Sequence, residues 1–381
     1  MHIPEGVIVA MLTPFDDKGR IAEKEVVKMV NFLIEKEIDG IFPVSSCGEY
    51  VHLDMDERKY LIDIVMDAAI GRVDIIPGTG ATCYQKSIEI ADYAREKGCS
   101  GVVLHGPYFF KNINEIVEGH LKKVALSVDI PIFLYNIPFF ANEITPEIAA
   151  NLCSLPNIVG IKDSSGNMVN VMNLIDMTRR VKPEFKVLVG AEEILFAALA
   201  AGGDGCMVAT ACILPEFMIA IYKNFKAGRL DIALKLQIAI LELIRVMKSI
   251  NFPQGFKEAL DVRGIKMGPP KMHFNTRLME NMVQTKKKLE SIMRELLSVY
   301  FPGESLLYDD SFKGYSKPDS FSYQAKELIH SNNKYIGCIN CKGCESDCEN
   351  SSANGITKQT NKDIEGIIHL ITQEIVSNFQ K

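Results

Sequence analysis

Four short apolar runs in this chain end in residues that a hydrophobic core would reject. They lead into Ser45-Ser46-Cys47-Gly48-Glu49, Tyr135-Asn136-Ile137-Pro138, Gly160-Ile161-Lys162-Asp163-Ser164-Ser165-Gly166 and Gly190-Ala191-Glu192-Glu193. Lys162 closes the run Ile158-Val159-Gly160-Ile161. Desolvation at such a position lowers an ammonium pKa, and the free amine then attacks a carbonyl. The same position also suits a lysine that lays its stem on apolar surface and keeps its head in water. A phenol at Tyr135, closing the preceding run, can carry protons to and from a carbinolamine or an aldol hydroxyl, or can simply cover the core. The Ser45–Gly48 turn offers amides and hydroxyls in a small-residue loop, which suits a carboxylate and equally an ordinary strand-to-helix turn.

The elements that would position these groups follow a regular alternation. Apolar runs at Val7–Leu12, Gly40–Val44, Val73–Pro77, Gly101–Leu104, Ile130–Tyr135, Ile158–Lys162, Phe185–Val189 and Gly205–Val208 alternate with helix-period segments such as Glu23–Glu37, Asp56–Ala69 and Met168–Arg179. Near-continuous apolar strands joined by helical crossovers predict a parallel sheet buried on both faces. Eight units in about 215 residues predict an α/β fold, a (β/α)8 TIM barrel over 1–215, with an open doubly wound sheet as the alternative. In a barrel the working residues stand at the C-terminal strand ends, where the four motifs fall. Segment 216–300 predicts a helical appendix, with Leu230–Ser249, Phe256–Val262 and Thr276–Val299 as its helices.

Composition narrows the partners. The chain has 381 residues, 47% of them hydrophobic, which excludes disorder and allows a large core. Its 42 Lys+Arg against 48 Asp+Glu give a net charge of −6, no field for a phosphate backbone. A small-molecule partner is expected, with neither nucleic acid nor membrane. The start Met1-His2-Ile3-Pro4-Glu5-Gly6 reads as no leader, and cytoplasmic location is expected.

In their order along the chain, Thr13-Pro14-Phe15, the Ser45–Glu49 turn, Tyr135-Asn136-Ile137-Pro138 and Gly160–Gly166 resemble the motifs of the N-acetylneuraminate lyase and dihydrodipicolinate synthase superfamily of pyruvate-dependent class I aldolases. The resemblance covers about residues 4–298. It implies that Lys162 forms an imine with a 2-oxo acid, normally pyruvate, without a further cofactor. It also implies that Tyr135 shuttles protons with Ser46, and that the Ser46-Cys47 amides hold the pyruvate carboxylate. Substrate-binding roles are implied for Ser164, Gly190, Glu192, Glu193 and Met207. Synthases of the lysine pathway carry an arginine two residues after the motif's proline, whereas here Phe140 stands there, so a 2-oxo sugar acid is the expected substrate. Ala209 and Cys47 depart from the lyase pattern, and sugar-acid dehydration or a dihydrodipicolinate synthase-like condensation on the same lysine are the alternatives. A non-catalytic barrel with a metal-binding tail is a third. The family's homotetramers imply an oligomer, although Phe109 replaces the tyrosine that usually crosses the interface.

The C-terminal portion is different in composition. Residues 301–337 read as a polar linker. Cys338, Cys341, Cys344 and Cys348 have the spacing of an iron–sulfur run, with zinc or no metal as alternatives. At 360–381, Ile364, Ile367, Ile368, Ile371, Ile375 and Phe379 predict an amphipathic helix. It would dock on the protein itself, in a partner groove, or in a microcompartment shell, since its pattern resembles encapsulation peptides.

Overall fold

A computed structural model of the chain describes residues 3–308. The cysteine run 338–348, the helix expected at 360–381 and the linker beyond residue 308 lie outside the described residues. Eight strands fall on the eight apolar runs: β1 (Gly6–Ala10), β2 (Gly40–Phe42), β3 (Asp74–Ile75), β4 (Val102–His105), β5 (Ile132–Asn136), β6 (Ile158–Asp163), β7 (Lys186–Val189) and β8 (Gly205–Val208). They pair in parallel in the order β3-β2-β1-β8-β7-β6-β5-β4. The remaining edge closes beside Gly78 and Val103, where Val103 N–H donates to the Pro77 carbonyl and Thr79 N–H to the Val103 carbonyl, both at 2.9 Å. The sheet is therefore a TIM barrel and not an open sheet.

Strand β2 is shorter than its apolar run. Pro43 has no N–H for the ladder, and Val44 turns into the left-handed region at φ +56°, so pairing stops at Phe42. This bend directs the following Ser45–Glu49 turn over the barrel mouth.

Around the sheet lie α1 (Glu23–Glu35), α2 (Met55–Ala69), α3 (Tyr84–Glu96), α4 (Asn114–Ala125), α5 (Pro146–Leu152), α6 (Met168–Val181) and α7 (Leu195–Ala200). After β8 come α8 (Thr210–Ile213) and α9 (Pro215–Lys226), which pack on β1, and α9 packs also on α7. The ring of barrel helices thus ends with α9. The appendix helices α10 (Leu230–Met247), α11 (Gln254–Val262) and α12 (Thr276–Tyr300) pack on one another. Their starts obey local chemistry: Asn275 accepts from Leu278 N–H to cap α12, and Asp54 and Glu57 form a reciprocal capping box on α2.

Candidate active site

The strand ladder itself brings the reactive candidates together. His105 of β4 lies opposite Tyr135 of β5, Tyr135 opposite Lys162 of β6, and Lys162 opposite Leu188 of β7. Partnered residues on neighbouring parallel strands point to the same face, so these side chains converge in the barrel. The Tyr135–Lys162 match depends on an irregularity. Ile132 pairs with Ile158 but Phe133 pairs with Gly160, so β6 spends one extra residue before the motif. A one-residue slip reverses the face a side chain takes. Without it Tyr135 would face Ile161.

Lys162 is 3% exposed, and its Nζ lies 4.2 Å from the ring centre of Tyr135 and 4.9 Å from that of Phe42. Among the described residues its Nζ has no carboxylate partner and no hydrogen bond. The cationic head is thus held by ring faces alone, which leaves its nitrogen available to a ligand. Ser46 Oγ and Tyr135 Oη share a hydrogen bond of 3.3 Å, so the hydroxyl pair stands beside the amine. Gly190 closes the other side. A Cβ there would lie 1.9 Å from Ser164 Oγ and 2.6 Å from Lys162 Cε, so only glycine leaves room for the lysine stem.

The turn after β2 is rigid on its inner side and open on the other. Ser45 Oγ donates to the Met11 carbonyl at 2.8 Å and accepts from Gly48 N–H at 3.0 Å. Thr13 Oγ1 donates to the Gly48 carbonyl at 2.7 Å. The Cys47 thiol points to β1, donating to the Ala10 carbonyl at 3.2 Å, and burial pushes its pKa up to about 11. Cys47 is therefore a protonated packing group, and only its backbone is offered to a ligand. The amides of Ser46 and Cys47 meet no acceptor among the described residues.

Several functional positions escaped the sequence reading. Asp163, fully buried, accepts from Asn136 Nδ2 at 2.7 Å, Asn170 Nδ2 at 2.8 Å, Ser165 N–H at 3.1 Å and Ser165 Oγ at 2.5 Å. Asn136 Oδ1 accepts in turn from Ile144 N–H at 3.0 Å. This network ties the ends of β5 and β6 to α6 and fixes the Tyr135–Lys162 pair. Glu49, held at φ +58°, pairs at 2.8 Å with the fully buried Lys257 of α11, whose ammonium lies over the Phe15 ring. A lysine within the apolar helix segment Phe256–Val262 was the one available signal.

Glu192 and Glu193 are not free carboxylates: Lys248 lies 3.4 Å from the first and 2.6 Å from the second. Burial opposes the Lys248 charge, but the two glutamates outweigh it and hold its pKa above the ordinary value. Met207 is fully buried in β8, opposite Ile8 of β1. His105 lies among Tyr50, Tyr108 and Tyr135, and burial lowers its pKa to about 4, so its imidazole is neutral at neutral pH. Phe109 is 88% exposed at φ +80°, outside the barrel interior.

The family model of the dihydrodipicolinate synthetase family matches residues 3–294. The chain belongs to this family. It is 33% identical over 270 residues to a 4-hydroxy-tetrahydrodipicolinate synthase of Methanopyrus kandleri, covering 70% of this chain and 89% of that protein. It is 31% identical over 297 residues to an uncharacterized DapA-like lyase of Thermofilum pendens, covering 76% and 97%. Among solved structures it is similar to YagE, a prophage protein of the dihydrodipicolinic acid synthase family from E. coli in complex with pyruvate. That match has a TM-score of 0.71 and 27% identity, covering 77% of this chain and 98% of that one. The chloride-inhibited dihydrodipicolinate synthase of Acinetobacter baumannii complexed with pyruvate matches at TM-score 0.69 and 29% identity, covering 75% and 99%.

The dihydrodipicolinate synthetase family works through a covalent lysine–pyruvate Schiff base with no separate cofactor, and this member is a class I pyruvate-dependent aldolase. Among the described residues no cluster of three or more His, Cys, Asp or Glu could hold a metal, and no helix is long and apolar enough to cross a membrane.

Proposed function

We propose that Lys162 is the imine-forming lysine and that the enzyme joins or splits pyruvate and an aldehyde. The observation that carries this is the buried, unpaired Lys162 ammonium in ladder register with Tyr135, whose hydroxyl meets Ser46. The pyruvate carboxylate sits on the Ser46 and Cys47 amides, which need an acceptor. Lys162 Nζ attacks the keto carbon, and the Tyr135–Ser46 pair protonates the departing oxygen, which leaves as water. The protonated imine then takes up the C3–H electron pair while the C3 proton passes to the Tyr135–Ser46 hydroxyl pair, and an enamine forms. Attack of C3 on an aldehyde carbon forms the new bond, Tyr135 protonates the aldehyde oxygen, and water hydrolyses the imine to free the amine. Cleavage is the reverse.

Ser164, whose Oγ lies beside Gly190 where the Lys162 stem also packs, supports a product that carries a hydroxyl at C4, as a 2-oxo sugar acid or another 4-hydroxy-2-oxo acid does. A dihydrodipicolinate synthase-like condensation is less well supported, because its second substrate brings a carboxylate and Phe140 offers it no charge. Phe109, Phe110, Ile113 and Ile116, all exposed within eight residues, support an oligomer, expected to be a homotetramer. The cysteines at 338–348 carry the expectation of an iron–sulfur or zinc site independently of this chemistry.

The test is hydrogen exchange. Pyruvate incubated with the enzyme in deuterium oxide is expected to lose its methyl protons through the enamine, and Lys162→Ala is expected to abolish this. A wild-type enzyme that leaves the methyl group unlabelled contradicts the proposal.

A further inference from the structure

We infer that the aldehyde partner of this enzyme is uncharged and carries an apolar substituent, aromatic or branched, held in a cavity beside the barrel mouth. The inference rests on the imine chemistry proposed above and names the class of its second substrate. It sets aside the 2-oxo sugar acid expected from the sequence in favour of a 4-hydroxy-2-oxo acid whose distal part is apolar.

A cavity of about 560 Å³ opens where the α10–α11 connection faces the start of α12. Its size falls within the roughly 300–1,000 Å³ of small-ligand sites. Met247, Phe252, Phe256, Met272, Leu278 and Met282 supply its apolar lining. Two contacts join it to the candidate reaction centre. Lys248, in the cavity wall, pairs with Glu192 and Glu193, which lie two and three residues after the Gly190 that packs on Lys162. Phe252 meets Phe140, in the loop that follows β5, at 5.5 Å between ring centres, and meets Phe256 at 6.0 Å. The aromatic series Phe140–Phe252–Phe256 thus leads from the β5 loop into the cavity.

Charge and exposure select the occupant. The Lys248 ammonium is already matched by two carboxylates, so the wall offers it to no phosphate or second carboxylate. Ser249, Asn251 and Asn281 are uncharged, and His273 is exposed to solvent. Meanwhile Phe140, Phe252 and Met272 remain 55%, 44% and 51% exposed. Covering such surface with an apolar substituent removes both from water, worth a factor of about 10–30 for one ring at roughly 25 cal/mol per Å².

In this reaction C3 of the pyruvate enamine bonds to the aldehyde carbon. The aldehyde oxygen takes a proton from Tyr135 and becomes the C4 hydroxyl, with the substituent on C4 directed into the cavity. Hydrolysis of the imine then releases a 4-substituted 4-hydroxy-2-oxobutanoate.

The test uses the full chain with pyruvate and, separately, benzaldehyde, glyceraldehyde and the anionic aspartate semialdehyde. Benzaldehyde is expected to react with a kcat/KM about tenfold or more above the other two. Phe252→Ser and Met272→Ser are each expected to lower that preference about tenfold, in proportion to the apolar contact removed. Met272 is half exposed, so its variant keeps the test available should Phe252→Ser fold poorly. Benzaldehyde reacting no better than the polar aldehydes, or a preference unmoved in both variants, overturns the inference. Borohydride trapping with pyruvate alone separates the two levels. A wild-type enzyme that traps pyruvate but shows no preference for benzaldehyde overturns only the substrate class, and one that traps nothing overturns the imine proposal as well.

Discussion

Among the described residues four cationic side chains are buried, and they are treated in two different ways: three have oxygen partners, Arg58 among them through the Leu53 and Gly80 carbonyls at 3.2 and 3.4 Å. Lys257 is fully buried against Glu49 at 2.8 Å, and Arg263, 1% exposed, is held by Glu216 at 2.7 Å, with Lys36 also 3.0 Å from that carboxylate. Lys162 is as deeply placed and has only the faces of Tyr135 and Phe42. Burying a charge is costly unless it is paired, so a fold that gives three of them carboxylate or carbonyl partners and leaves the fourth on ring faces sets the fourth apart. The paired cations fix loops and helices in place. The unpaired one keeps its nitrogen open for a covalent bond.

That contrast is sharpened most by Lys162→Met. Activity is expected to fall by at least about 10⁴-fold, because the nucleophile is gone. Stability to urea is expected to stay level or rise, since no carboxylate is left behind. Lys257→Met should do the reverse at the level of the fold, costing about 3–5 kcal/mol by stranding Glu49 in the interior. A loss of stability in the Lys162 variant as large as in the Lys257 variant would break the comparison.

Tyr135→Phe keeps the ring over the ammonium and removes the hydroxyl that meets Ser46. A fall in kcat of roughly 10²–10³-fold is expected with the melting temperature nearly unchanged, as for loss of a proton-transfer group. The smallest effect expected concerns pH. His105 is held neutral by burial, with its pKa lowered to about 4 from 6.5, so between those values the unfolded chain binds the extra proton and the folded chain does not. The associated stability is complete above about pH 6.5 and is lost as pH falls toward 4, amounting to on the order of 3 kcal/mol. Denaturant titrations across that range should show a shallower slope for His105→Gln. An unchanged slope would mean that other groups govern acid unfolding.

Much of this could be seen in the sequence because each signal was local. The β-branched runs that mark the strands are contiguous, and Ser46, Tyr135 and Lys162 stand directly at the ends of theirs. What could not be seen depends on partners far apart in the chain. Glu49 and Lys257 meet across 208 residues, and Phe140 in the loop after β5 meets Phe252 in the α10–α11 connection. The pairing of Glu192 and Glu193 with Lys248 is of the same kind, since nothing near the glutamates in sequence announces that lysine. The extra residue in β6 that turns Tyr135 toward Lys162 is likewise a property of pairing between two strands and of neither alone.

The central claim is that Lys162 is left unpaired in order to form a covalent bond with pyruvate. Incubating the full chain with pyruvate and borohydride, then locating the modified peptide by mass spectrometry, tests it most directly. A single reduced pyruvate adduct on Lys162 is the predicted result. An adduct on another lysine with Lys162 unmodified, or no adduct on folded protein, would contradict the account.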